Sequence, residues 1–120
     1  KQLVQDLGIE NKVIFAGFQK NPYPFIKHAK LMVVSSDFEG FSIAILEALA
    51  LNTSIISTDC PSGPNEVLSP EQLVAVGDVN ALAFKMSQTL SNSHECEIGL
   101  DKKFYPQKAA SHYLQLINKF

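Results

Sequence analysis

The chain has 120 residues, 46% hydrophobic and 18% charged, with a formal net charge of -2 at pH 7. A chain of this size forms one domain with enough interior to need no disulfide or metal staple. A charge this near neutral gives no electrostatic ground for a nucleic-acid or anionic-membrane partner. No apolar run approaches the roughly 20 residues that cross a bilayer, and the opening Lys1-Gln-Leu-Val-Gln-Asp6 has no signal-peptide pattern, so no transmembrane segment is expected. Cys60 and Cys96 have no C-x-x-C context, and His28, His94 and His112 share no metal-like spacing. Reduced thiols, no zinc site and a cytoplasmic setting are the resulting expectations. The chain does not begin with Met and opens as if at the end of a helix, so a fragment of a longer protein is expected.

Leu3, Val4 and Leu7 fall at helical spacing, with Gly8 as the C-cap. Val13 to Phe18 is apolar and β-rich and is expected to be a strand. Gly17 near its end either supplies a plain bend or lets the backbone approach a ligand. Asn21-Pro22-Tyr23-Pro24 breaks the chain and opens a helix from Phe25 to about Lys30, with Pro24 in the first turn and Phe25, Ile26 and Ala29 inward. Lys20 and Lys27 read as a solvated face.

Leu31 to Val34 is a short, partly β-branched apolar run bounded by polar residues, the pattern of a strand buried on both faces. A polar bend with Asp37, Glu39 and Gly40 follows. A helix then runs from Ser42, placed as N-cap, to Leu51, and Asn52 ends it. Ser54 to Thr58 is a second β-branched run, which makes two parallel strands joined by a right-handed helical crossover. This pattern defines the fold class: α/β, a Rossmann-like open parallel sheet with helices on both faces.

Glu39 sits at the carboxyl end of a strand, where open α/β sheets bind ligands, and Gly40, Phe41 and Ser42 offer backbone N–H groups at a helix N-terminus, where an anion can dock. Glu47 lies inside an almost wholly apolar helix, so its carboxylate is either solvated at the helix edge or held by a hydroxyl-rich partner. At about 1.5 Å rise per residue the two glutamates are roughly 12 Å apart along the chain. That is too far for a carboxyl pair acting on one bond, but it suits gripping two parts of an extended ligand.

Cys60 to Glu66 is a turn-rich loop on the same rim as Glu39. Glu66 reads either as a helix-dipole partner or as a ligand contact, and Cys60 as a nucleophile has no supporting His. Leu73 to Val76 is a further short strand closed by Gly77. Asp78 caps a helix from Asn80 to Leu90, with Leu82, Ala83, Met86 and Leu90 on its apolar face. Two more helices are expected, Glu95 to Lys103 and Gln107 to Lys119.

The segment Glu39-Gly-Phe-Ser-Ile-Ala-Ile-Leu-Glu47 resembles the E-x7-E motif of retaining, sugar-nucleotide-dependent glycosyltransferases of family 4 (group 1), which have the two-domain GT-B fold. The resemblance extends to Val13-Ile-Phe-Ala-Gly-Phe18, Asn21-Pro-Tyr-Pro24 and Ser57-Thr-Asp-Cys-Pro-Ser-Gly-Pro-Asn-Glu66, and nearly all 120 residues can be laid on the donor-binding domain. It implies that residues 1–120 are a single nucleotide-sugar-binding domain, one half of a GT-B fold, without the N-terminal acceptor domain. It further implies a nucleotide diphosphate sugar as donor, no metal or other cofactor, and an acceptor glycan or lipid-linked acceptor reached through the missing half. By resemblance, Glu39 is the catalytic candidate at the donor hexose. The N–H groups around Gly40, Phe41 and Ser42 face the diphosphate, Glu47 the ribose, and Gly17 and Phe18 the base. The family also supplies an Arg and a Lys to the diphosphate from a segment preceding this one, so the fragment alone is expected to bind nucleotide weakly and not to turn over.

The rival readings are a non-catalytic scaffold module with the same half-fold and an unrelated doubly wound domain. Against a dinucleotide-binding unit, no G-x-G-x-x-G follows any strand. Against a response-regulator receiver, acidic residues are not clustered near the first strand.

Overall fold

The computed structural model describes residues 1–92 together with 100, 101, 104, 105, 107 and 108. The helices expected over 95–103 and 107–119 lie largely outside the described residues. Helix α1, Gln2–Asp6, ends as expected at Gly8, whose φ of 63° is left-handed. The chain closes there by a Schellman motif, with Gly8 N–H donating to Gln5 O at 2.9 Å and Ile9 N–H to Val4 O at 3.1 Å. A 3-10 turn, Glu10–Lys12, leads on to residues 13–20.

That segment corrects the sequence reading. Val13 to Phe18 is not a strand of the sheet, and Ile14 and Phe18 are 90% and 95% exposed. A β-rich run becomes a strand only when a neighbour accepts and donates its ladder hydrogen bonds, and this run has no such neighbour among the described residues.

Helix α2 is Tyr23–His28, with Pro22 at its N-cap and Pro24 in the first turn. Ile26 packs against the core, but Phe25 is 60% exposed rather than inward. In a helix this short the side facing the protein is set by Tyr23, Ile26 and Lys27, which are three or four residues apart, and Phe25 falls roughly 200° around the axis from Tyr23.

Strand β1, Met32–Val34, leads into helix α3, Ile43–Ala50, and then strand β2, Ile55–Thr58. Strand β3, Leu73–Val74, completes a parallel sheet of order β1-β2-β3. Met32 pairs with Ile55 and Val34 with Ser57, while Ser57 also pairs with Leu73 and Thr58 with Val74. Being central, β2 is buried at all four positions. β1 is only half-buried, against the expectation of burial on both faces, because it pairs with β2 alone among the described residues.

α3 presents Ile45, Ala48 and Leu49, spaced at three and four, to Ile55 and Leu68, and these form the core. Its C-terminus is a second Schellman motif. Asn52 takes φ 54° and its N–H donates to Leu49 O at 3.1 Å, while Thr53 N–H donates to Ala48 O at 2.9 Å. Asparagine tolerates that left-handed conformation, which explains why the helix stops where the sequence says it does.

The short helix α4, Pro64–Val67, and helix α5, Val79–Ser91, follow the turns that leave β2 and β3 at their carboxyl ends. Asp78 caps α5, its Oδ1 accepting from Ala81 N–H at 2.8 Å. α5 packs against β2 with Leu82 and Met86 half-buried, whereas Ala83 and Leu90 lie on the exposed side. Alternation along β2 sends Ile55 toward α3 and Ile56 and Thr58 the other way, so helices cover both faces of the sheet.

Candidate functional site

The rim at the carboxyl ends of β1 and β2 is built from two turns that hold each other. In the first, Ser36 Oγ donates to Glu39 Oε1 at 2.5 Å, which orients the half-buried carboxylate. In turn Thr58 Oγ1, buried at the end of β2, donates to Ser36 O at 2.5 Å and so ties this turn to the central strand. Neither hydroxyl was singled out from sequence. The only cue was the position of Ser36 three residues before Glu39 in a polar bend.

The second turn leaves β2 through Asp59 and the fully buried Cys60 and reaches Gly63, whose φ of 142° no other residue adopts readily. A Cβ at Gly63 would overlap Gly40 O, so the two turns meet backbone to backbone. Cys60, sealed under this turn, is out of reach of a substrate. Glu66 lies in the first turn of α4, the position of a helix-dipole partner.

The two turns place the N-terminus of α3 on the rim. Ser42 occupies the N-cap position, and its carbonyl accepts from Ile45 N–H at 3.1 Å and Leu46 N–H at 3.4 Å. Its hydroxyl makes no capping hydrogen bond. The N–H groups of Ile43 and Ala44 therefore precede the first intrahelical donor, Ile45 N–H, and point out of the helix with the positive end of its dipole. Phe41 is half-exposed, with its ring 5.9 Å from that of Phe104.

Glu47 stands one turn further along α3, off the buried face formed by Ile45, Ala48 and Leu49. Its half-buried carboxylate stands at the helix edge and takes one hydroxyl partner, Tyr23 donating its hydroxyl to Glu47 Oε1 at 3.2 Å. That hydrogen bond, and the negative charge behind it, push the Tyr23 phenol above its ordinary pKa. Glu39, Gly40, Phe41, Ser42 and Glu47 thus share one turn and helix. Gly17 and Phe18 stand on the exposed 13–20 segment, and the φ of 63° at Gly17 is by itself a sufficient reason for glycine there.

Two concavities flank the rim. One, about 200 Å³, lies on the α5 side and is lined by Ser35, Asp37, Thr58 and Asp78 among others. The other, about 510 Å³, follows the outer edge of β3 from Asp59 and Asn65 to Val76. Neither is lined by Glu39 or Glu47. Among the described residues no group of three or more His, Cys, Asp or Glu could hold a metal ion, and no helix is long and apolar enough to cross a membrane.

An open parallel α/β sheet with a helix N-terminus and an acidic turn on its carboxyl rim defines a Rossmann-like half-fold whose ligand edge is that rim. Its residues 1–106 match the family model of glycosyl transferases group 1, and the chain belongs to that family. It is 46% identical over 71 residues to an uncharacterized glycosyltransferase of Methanocaldococcus jannaschii, covering 59% of this chain and 18% of that protein. It is 30% identical over 112 residues to the lipopolysaccharide 1,6-galactosyltransferase of Salmonella typhimurium, covering 84% of this chain and 31% of that enzyme. Among solved structures, the apo form of the lipopolysaccharide outer core galactosyltransferase WaaB superposes with a TM-score of 0.87 at 25% identity, over 99% of this chain and 37% of that one. The sheet and its helices are accordingly those of a GT-B glycosyltransferase. The chain spans well under half the length of each of these relatives.

Proposed function

We propose that this chain is the C-terminal, donor-binding half of a retaining glycosyltransferase, which moves a sugar from a nucleotide diphosphate sugar to an acceptor hydroxyl. The observation that carries the reading is the α3 N-terminus with its side-chain cap unused, flanked by Glu39, which Ser36 orients, and by Glu47 further along the same helix.

In this reading the diphosphate lies over the N–H groups at Gly40, Phe41 and Ser42 and the first turn of α3. As the glycosidic bond to the donor lengthens, negative charge builds on the leaving diphosphate, and preorganised donors with a helix dipole stabilise that charge without reorganising. Glu39 touches the hexose near the reacting centre. Glu47 accepts from the ribose hydroxyls, a charge-assisted recognition of a neutral diol. Gly17 and Phe18 meet the base, Phe18 offering an almost fully exposed ring.

Retaining glycosidases place two carboxyl groups about 5–5.5 Å apart. Glu39 and Glu47 are assigned to separate parts of the donor and not to one such pair, and attack of the acceptor hydroxyl on the face the diphosphate leaves is what the resemblance to the family implies. The similarity to a lipopolysaccharide galactosyltransferase supports an acceptor glycan or lipid-linked acceptor, held by the remainder of a longer enzyme, and a place in polysaccharide assembly.

Isothermal titration of the chain with uridine, guanosine and adenosine diphosphates tests this reading. One of the three should bind, and Glu47→Ala should weaken it by about 10- to 100-fold, the scale of a lost hydrogen bond to a charged group. Silence from all three would favour a non-catalytic scaffold. Steady transfer of labelled sugar by these residues alone would contradict the assignment of half an active site.

A further inference from the structure

The carboxylate assigned to the ribose already has a partner, Tyr23, and the helix that carries this partner is anchored at several points. Tyr23 opens α2 between Pro22 and Pro24, and its N–H donates to Asn21 Oδ1 at 3.2 Å. α2 is then tied to α3 and the turn after it at two further points. Lys27 Nζ donates to Leu51 O at 2.8 Å, and Thr53 Oγ1 donates to Ile26 O at 2.9 Å. The pairs Tyr23 with Glu47 and Lys27 with Leu51 advance by one turn on each helix, so α2 and α3 run in the same direction in a fixed register. The position of the Tyr23 hydroxyl therefore follows from backbone anchors on both sides of it.

We infer that Tyr23 is a positioning residue for the donor site: it holds Glu47 through Oε1 so that the carboxylate meets the two ribose hydroxyls of a nucleoside diphosphate in one preset orientation. The inference rests on the proposed role of Glu47. A glutamate side chain loses up to about 2 kcal/mol of rotamer freedom when it is ordered, and a hydrogen bond made before the ligand arrives removes part of that loss from binding. A carboxylate has about four lone-pair sites, so one phenol leaves room for a vicinal diol. A phenol is protonated and donating across the neutral pH range at its ordinary pKa of about 10, and Glu47 raises that pKa further.

The experiment is a titration of wild type, Tyr23→Phe, Glu47→Gln and the double variant with uridine, guanosine and adenosine diphosphates and their 2′,3′-dideoxy counterparts. Tyr23 is half-exposed, so removal of its hydroxyl leaves the fold intact, and the ratio of ribo to dideoxy affinity within each variant is insensitive to any small loss of stability. Tyr23→Phe should lower ribonucleotide affinity about two- to ten-fold, the scale of ordering one flexible side chain. Dideoxy affinity should not change, and adding Tyr23→Phe to Glu47→Gln should have no further effect. A wild type that prefers ribonucleotides, with Tyr23→Phe keeping the same preference, overturns the positioning role while leaving Glu47 on the ribose. A wild type with no preference, or with no binding at all, overturns the ribose assignment and this inference with it.

Discussion

Replacement of Gly63 by alanine tests the claim that the rim is made by two backbones in contact. At φ 142° and ψ -66° an L residue is strained, and such conformations cost about 1–3 kcal/mol. In addition, the new methyl would overlap Gly40 O and come within 3.7 Å of Ser42 N, so the Glu39–Gly40 turn must move away from α4. Strain and displacement together should destabilise the domain by about 2–4 kcal/mol. At about 3–5 °C per kcal/mol for a domain of this size, the melting temperature should fall by roughly 10 °C.

Displacement of Gly40 also shifts the N–H groups proposed to face the diphosphate, so nucleotide binding should weaken by more than the change in folded fraction explains. Gly40→Ala is the control. An added Cβ there meets nothing within 4 Å, so its cost should stay within about 0.5 kcal/mol. Thermal melts and nucleotide titrations of the two variants settle the matter. A Gly63→Ala protein that melts within a degree or two of wild type and binds nucleotide equally would refute the close approach of the two turns.

Three further predictions follow from the same structure. Thr58→Val keeps the shape of a buried side chain but leaves Ser36 O without its donor, so urea unfolding should show a loss of about 1–3 kcal/mol. Asp78→Ala removes the N-cap of α5 and should cost about 0.5–2 kcal/mol by the same assay, with nucleotide affinity unchanged because α5 carries no residue of the proposed site. The raised pKa of Tyr23 means the folded state holds its phenol proton more tightly than the unfolded chain does. The stabilisation is therefore complete below pH 10 and is lost as pH rises through the folded-state pKa. Stability of the wild type should accordingly fall more steeply above pH 10 than that of Tyr23→Phe or Glu47→Gln, measured by denaturation at a series of alkaline pH values, and parallel curves would show the hydrogen bond to be idle.

The elements that were legible in the sequence are those whose signals are local. Asn52 and Gly8 stop their helices because a left-handed residue is needed there, and Asp78 caps because its carboxylate reaches the N–H three residues on. Ile45, Ala48 and Leu49 mark the buried side of α3 by spacing alone, and Ile55 to Thr58 reads as a strand because Ile55, Ile56 and Thr58 are β-branched. The site candidates Glu39 to Glu47 were visible for the same reason, since a turn, a helix start and two acidic residues lie within one continuous stretch.

What the tertiary structure decided depends on residues far apart in sequence. Whether Val13 to Phe18 joins the sheet is set by the presence of a ladder partner, which no local pattern reveals, and the segment stands exposed. The side of α2 that faces the protein is chosen by contacts to α3, not by hydrophobicity, which is why Phe25 points out while Tyr23 reaches Glu47. The hold of Thr58 on Ser36 and the overlap that forbids a side chain at Gly63 join segments about 20 residues apart. Periodicity and caps are properties of a single turn of chain and can be read one residue after another. Hydrogen bonds and close approaches between turns exist only once the sheet has set which loops share a rim.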